Sequence, residues 1–381
     1  MARYTYRFAN LLSDSDLAEL ELLDVKFDRR ILQPGAFSAT IPIVNSDIAT
    51  QAKKIVPAKT IVHVYRDSEI WGTYIIWTAR VRSSSRDAPV MEIQGATLES
   101  WLDHRLVDVD QIYTGVNQYA IARGLLDQAQ IGWTPYEESA NLGITSDPFK
   151  NSSVLRDRSY YVTDGASVGQ RLKELASVDN GFEYMINTYD DYATGVRVRD
   201  FVIAQTLGNS NLEVIYTYPG SILSYDISYD ATTAATAWWT RGDTVDDDVS
   251  GTSSPLMVPG PVLSDEWLSS AFPHLDRVVD YSSVTSLTTL ENYAAWWRDN
   301  HSGVVAVPVI ELNTSDNPTL IPPSALGTTA KFTVEDEFFG HGDFSSENRI
   351  IGIEVTPPSR GSQEVIRLVI EDNTDPTDIG S

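Results

Sequence analysis

The sequence predicts a mainly β protein with a small α+β module inserted between two β blocks. Three observations predict it. Short runs with a two-residue period, bounded by Asp-Ser, Pro-Gly and Arg-Asp-Ser turn signals, fill residues 1–105. Helical spacing replaces that pattern within 106–215, and strand-like runs then resume over 216–372 with one helix among them. Evenly spaced strands without long helical patterns argue for an antiparallel barrel or sandwich.

In the first block "YTYRFANL", "LAELELLDVKFDRRI", "GAFSATIPI", "TIVHVYRD", "IWGTYIIWTARVRS" and "PVMEIQGAT" read as strands. The hairpin from Val64 to Ser83 turns at Asp67-Ser68-Glu69. Beyond the turn Trp71, Thr73, Ile75, Trp77, Ala79 and Val81 alternate with Gly72, Tyr74, Thr78, Arg80 and Arg82. The odd positions form an apolar face, and the even ones form a mixed, partly basic face.

In the module, Ile121 and Leu125 stand four residues apart with Ala122 and Ala129 alongside, behind Asn117 as the cap. Val168, Leu172 and Leu175 share a second helical face, with Asp164 as N-cap and Asn180-Gly181 as the stop. "FEYMINTY" and "GVRVRDFVIAQTLG" follow as strands.

The second block opens with "LEVIYTYP", "SILSYDISYD" and "TTAATAWWTRGD". Asp, Ser, Gly and Pro dominate 243–283, which reads as a long surface loop. A helix is expected over 287–300: Thr288 and Glu291 have capping-box spacing, and Leu290, Tyr293, Ala294 and Trp297 make one stripe. Four strands close the block, "GVVAVPVIEL", "TAKFTVEDEF", "RIIGIEVTPP" and "EVIRLVIED", before a flexible tail at 373–381.

Composition narrows the function. A chain of 381 residues suits two to four domains at about 100–200 residues each. With 42% hydrophobic and 21% charged residues it is too apolar for a disordered chain. The absence of cysteine excludes thiol nucleophiles, thiolate metal sites and disulfides. The N-terminus lacks a signal-peptide pattern, and no run approaches the ~18 apolar residues of a membrane span, so a soluble protein is expected. The net charge of −25, from 53 acidic and 28 basic residues, argues against sequence-specific DNA binding.

Catalytic patterns are missing, so no catalytic, cofactor-binding or metal-binding residue is assigned. The five histidines, His63, His104, His274, His301 and His341, form no HExxH motif or local pair. His63 lies inside a strand and reads as structural, and His341 reads as part of a hairpin tip. Asp243, Asp246, Asp247 and Asp248 cluster without EF-hand spacing and read as a solvated acidic loop rather than a calcium site. Paired carboxylates for glycoside hydrolysis carry no information among 53 acids. The doublets Trp238-Trp239 and Trp296-Trp297 read as core or subunit packing, with glycan contact as the alternative.

Four passages resemble the tail-tip, or baseplate hub, proteins of long-tailed phages, and in particular minor tail proteins of siphophages infecting actinobacteria. They are "RRILQPGAFSATIPI"; the hairpin continuing through "PVMEIQGATLESWLDHRLV"; "VGQRLKELASVDNGFEYMI" with "VRVRDFVIAQTLG"; and the closing run from "LENYAAWWRDN" through "VPVIELNT", "LGTTAKFTVED", "RIIGIEVTPP" and "EVIRLVIED". The resemblance spans residues 30–372 apart from 243–283.

The resemblance implies two β-barrel domains of tail-hub type flanking the α+β module. It implies a homotrimer that presents six barrels around a pore, joining a six-fold tail tube to a three-fold tip. It further implies contacts with a distal tail protein ring, a tape-measure protein and other tip proteins, at the distal end of the virion tail. Genomic DNA would pass through the lumen unbound, and no enzyme activity is expected. The rival readings are a distal tail ring protein, a glycan-binding receptor module using the tryptophan doublets, and a glycoside hydrolase acting on the host envelope.

Overall fold

A computed structural model describes residues 2–85, 88–178, 180–208, 215–245, 254–281, 284–302, 305–314, 325–340, 344–359 and 361–371. The first block contributes β1 (Tyr4–Asn10), β2 (Asp16–Glu19), β3 (Leu23–Arg30), β4 (Ala36–Pro42), α1 (Ser46–Ala52), β5 (Thr60–Arg66), β6 (Glu69–Arg82), β7 (Val90–Thr97) and α2 (Glu99–Leu102). Its strands run in the order β3–β4–β7–β6–β5–β1–β2, all antiparallel. The expected run "LAELELLDVKFDRRI" breaks into two strands at residues 20–22, and Asp24, the second residue of β3, has a positive φ of 52°.

The module follows with β8 (Gln111–Asn117), α3 (Gln118–Ala129), β9 (Ile144–Thr145), β10 (Leu155–Tyr160), α4 (Val168–Ala176), β11 (Glu183–Asp191) and β12 (Val196–Ala204). Asn117 caps α3 as expected, accepting from the amides of Tyr119 and Ala120. The cap of α4 is Ser167 rather than Asp164, which closes the preceding short turn and reaches Arg171 instead.

The second block contains β13 (Ile215–Tyr218), β14 (Ile222–Asp230), β15 (Ala237–Val245), β16 (Ser254–Met257), β17 (Val262–Leu263), α5 (Asp265–Ser269), β18 (Asp276–Asp280), α6 (Leu287–His301), β19 (Val305–Leu312), β20 (Thr329–Val334), β21 (Phe344–Thr356) and β22 (Val365–Ile370). The stretch 243–283 is therefore not one long loop: its described part folds as β16, β17, α5 and β18 around β15, with α6 packed on the same small sheet. The N-cap is two residues earlier than the capping-box pattern implies, because the Ser286 hydroxyl caps the helix at the Thr289 amide. The tail at 373–381 lies outside the described residues.

The class is as the sequence predicts, mainly β with an α+β insertion. The two β blocks are joined edge to edge. The first half of β21 pairs with β20 and the second half with β3, so that among the described residues thirteen strands form one sheet. One core lies along this sheet and draws Phe8, Phe27 and Tyr74 from the first block with Tyr216, Phe332 and Ile353 from the second. A second core, of Leu125, Leu172, Tyr184 and Phe201, fixes the module against Ile61 and Ile75.

Both cores meet at β6, which corrects the reading of its faces. Trp71, Tyr74 and Ile76 belong to the first core, and Ile75 belongs to the second with Trp77 packed against it. Tyr74 is fully buried, stacked on Phe37 at 5.3 Å, and its hydroxyl donates to the Asp28 carbonyl. A two-residue period marks one buried face, whereas the module covers the other as well. Only the far end of the strand, including Thr78, Arg80 and Arg82, turns its mixed face to solvent.

Candidate functional site

Several of the charged side chains that the fold buries gather at the joints between modules, although Arg171 pairs with Asp164 and Glu174 inside the module. Asp14 sits in the turn between β1 and β2, and His63 lies in the middle of β5. The His63 ring is sealed from solvent, with Nε2 2.9 Å from Asp14 Oδ1 and Nδ1 2.9 Å from the Thr73 hydroxyl. From the module, Arg197 donates to Asp14 Oδ2 at 2.9 Å and to Asp16 at 2.6 Å, and Arg199 donates to the carbonyls of Leu11 and Leu142. Strand β12 is thereby tied to β1 and β5.

Burial alone would raise the Asp14 carboxyl, but the His63 and Arg197 hydrogen bonds and the Arg199 charge outweigh it and hold its pKa at about 2. For His63 burial is the larger effect and pulls its pKa down, against the pull of Asp14. A proton on Nε2 lets the ring donate to the carboxylate and accept from Thr73 at Nδ1.

Two further joints have the same construction. Arg66 of β5 makes a bidentate pair with Glu364, at 2.8 and 2.9 Å, and Tyr4 donates to the same carboxylate at 2.5 Å. Arg349 of β21 spans to Glu183 of β11 at 2.7 and 2.9 Å, with Glu371 at 3.4 Å. Sequence reading missed all three, since each unites residues more than a hundred positions apart and none follows a local motif.

None of these groups faces a nucleophile or an open substrate site. His63 is enclosed, His104 lies against Trp77 at 4.5 Å, and exposed His274 stands 3.4 Å from Asp276. His301 ends α6 against Trp297 at 4.5 Å, and burial lowers its pKa. Among the described residues no group of three or more His, Asp or Glu side chains converges as a metal site. Asp246, Asp247, Asp248 and His341 lie outside the described residues, and Asp243 stands alone of its cluster in the structure.

The tryptophan doublets belong to packing. Trp238 is fully buried, stacks on Trp297 at 5.2 Å and donates to Ser302. Trp239 donates to Asp276, Trp297 donates to the Tyr281 hydroxyl, and Trp296 meets Trp297 edge-on.

The large sheet carries a polar face. Asp28, Glu354, Arg367 and Glu311 stand directly opposite one another across β3, β21, β22 and β19, so one charged row crosses the seam between the blocks. On this face Arg30 reaches Asp28 at 2.7 Å and Glu354 at 2.6 Å, Arg367 reaches Glu311 at 3.0 Å, and Arg82 reaches Glu92 at 2.7 Å, while Lys26 and Arg80 are exposed beside them.

No protein-family model and no curated protein matches the sequence. Solved structures do match along nearly the whole chain. A tail protein from Neisseria meningitidis is 14% identical with a TM-score of 0.57, covering 98% of this chain and 98% of its own. A prophage MuSo2 tail protein from Shewanella oneidensis is 11% identical with a TM-score of 0.60, covering 99% of each chain. A prophage tail protein from Listeria monocytogenes is 10% identical with a TM-score of 0.54, covering 97% of this chain and 95% of its own. From the seam between its β blocks to the inserted module, the chain has the fold of these phage tail proteins.

Proposed function

We propose that the chain is a structural component of a bacteriophage tail, acting as a homotrimeric baseplate hub at the distal end of a long non-contractile tail. The observation that carries this reading is the likeness to tail proteins over 97–99% of the chain, which leaves no large segment for a separate activity. In this reading each β block is one barrel, and three chains set six barrels around a pore that joins the tail tube to the tip. The distal tail ring and tape-measure proteins are its neighbours, and its role is assembly rather than catalysis.

The polar face of the sheet supports the passage of DNA. A wall whose arginines are mostly paired with carboxylates, on a chain of net charge −25, offers phosphates few unneutralised cations, Lys26 and Arg80 among them. Burial of Trp238 in a stack with Trp297 takes that ring out of the glycan-binding alternative and leaves the half-buried Trp239 and Trp296 as its candidates.

The test is negative-stain electron microscopy of the purified chain at high concentration, with mass measured in parallel. Three-fold rings with a central opening are expected. Particles of one or two chains, both alone and with a distal tail ring protein added, would overturn the hub reading.

A further inference from the structure

A cleft of about 720 Å³ opens where the β11–β12 hairpin meets the start of β6 and the segment around Leu326. Ile70, Met185, Val202 and Leu326 give it an apolar lining. Glu69, Asp190 and Asp191 outnumber the one cation of the lining among the described residues, Arg29, which donates to Asn187 at 2.9 Å. Tyr65 donates to Asp190 at 3.2 Å, and Tyr189 and Tyr192 beside them are 43% and 81% exposed.

Two strands leave an edge unpaired here. Among the described residues β11 pairs only with β12, and β6 takes up β7 only from Tyr74 onward. The open side of β11 is occupied near its start, where the Tyr184 carbonyl accepts from Leu32 and the Ile186 amide donates to Glu99. From residue 187 to 191 no such partner covers it among the described residues. In that stretch Thr188, only 6% exposed, leaves its hydroxyl without a hydrogen-bond partner.

We propose that this cleft is a strand-addition site for an extended segment of a partner protein, built of alternating apolar and basic residues. An unpaired edge supplies main-chain hydrogen bonds to an added strand, and alternate side chains of that strand point to opposite faces. The apolar set meets the lining of Ile70, Met185, Val202 and Leu326, and the basic set meets the carboxylates around the rim, Glu69, Asp190 and Asp191, the last two on opposite faces of β11. The net charge of −25 also favours a cationic segment in the encounter. Natural proteins cover or blunt free edges, and an open edge beside an apolar cleft is a template for pairing. The proposal stands whether or not the chain forms a trimeric hub.

The experiment is amide hydrogen exchange on the full chain with two end-capped peptides of roughly six residues, one alternating valine with lysine and one alternating valine with glutamate. The valine–lysine peptide in excess is expected to slow exchange across residues 187–191 by about threefold or more. The valine–glutamate peptide should leave that stretch unchanged, and Glu69→Lys should abolish the protection while the far-UV spectrum and melting temperature hold. No protection at 187–191, protection confined to other segments, or equal protection by the acidic peptide would overturn it. Protection that instead rises with protein concentration and needs no peptide would assign the edge to a second copy of this chain and overturn it equally.

Discussion

Arg66 and Glu364 lie 298 positions apart and close on each other in a bidentate pair, each about 7% exposed. The Arg66 guanidinium also lies over the Trp71 ring at 4.8 Å, so the first β block holds it while the second supplies the carboxylate. Removing one member of a buried pair strands the other charge, at a cost of about 3–5 kcal/mol. Glu364→Ala is therefore expected to lower the urea midpoint sharply. The double variant Arg66→Met with Glu364→Leu should recover most of that loss. An unchanged midpoint in Glu364→Ala would remove this pair from the joint.

The His63 joint predicts a pH dependence. Groups facing the ring are Asp14, Thr73, Arg197 and Arg199. Burial places the folded pKa below the ordinary 6.5, so on acidification the unfolded chain takes up a proton that the folded chain refuses. Stability from this residue is thus lost as pH falls below 6.5 towards the folded pKa. Asp14 adds its own loss lower down, between the ordinary carboxylate range and about 2. His63→Gln removes the first effect and, by taking away the imidazole that helps hold the Asp14 carboxyl down, weakens the second at lower pH. Its melting temperature should fall less steeply than the wild type's between about pH 7 and pH 5, and parallel curves would refute the assignment.

Trp238 tests packing against glycan binding. Truncating a fully buried aromatic side chain costs about 3–5 kcal/mol, and Trp238→Ala should show a loss of that order in equilibrium denaturation. Adding cell-wall oligosaccharides to the wild type should leave tryptophan fluorescence unchanged. A saturable quench together with a stable Trp238→Ala variant would restore the glycan reading.

Gly95 of β7 tests the fit between β6 and β7. A Cβ at this position would lie 2.4 Å from the Ile75 carbonyl oxygen, and backbone cannot swing aside as a long side chain can. Gly95→Ala should destabilise by about 1–3 kcal/mol, measured by the shift in urea midpoint at constant slope. A neutral result would mean that the register irregularity between Ile76 and Thr78 relaxes to admit it.

Local pattern made the strands legible, and it made α3 legible through the Asn117 cap. It failed where a second layer changes the meaning of a pattern. The alternation in β6 marked Tyr74 as surface because nothing in that segment records the module lying on its other side. The stretch 243–283 has loop composition, yet β16, β17 and β18 exist there because β15 supplies partners for all three. The polar joints were illegible for the same reason: Asp14, His63 and Arg197 become one unit only after strands from two modules are brought together.

The far end of β6 offers a direct test of assembly. Arg80 lies opposite Glu92 in the register, and Arg82 pairs with that same carboxylate at 2.7 Å while 61% exposed. An exposed pair of this kind contributes about 0–1 kcal/mol, so its loss barely affects folding. Two arginines beside one carboxylate nevertheless leave an excess positive charge on an otherwise acidic chain. Such a patch favours contact with the acidic surface of another copy, and a like-charge contact in its place opposes association. Reversing both charges, with Arg80→Glu and Arg82→Glu, should reduce the trimer fraction in analytical ultracentrifugation about tenfold at low salt. The melting temperature of the monomer should stay the same, and added salt should narrow the gap from the wild type. If the doubly reversed chain assembled as well as the wild type at every salt concentration, the end of this hairpin would lie outside the subunit contact.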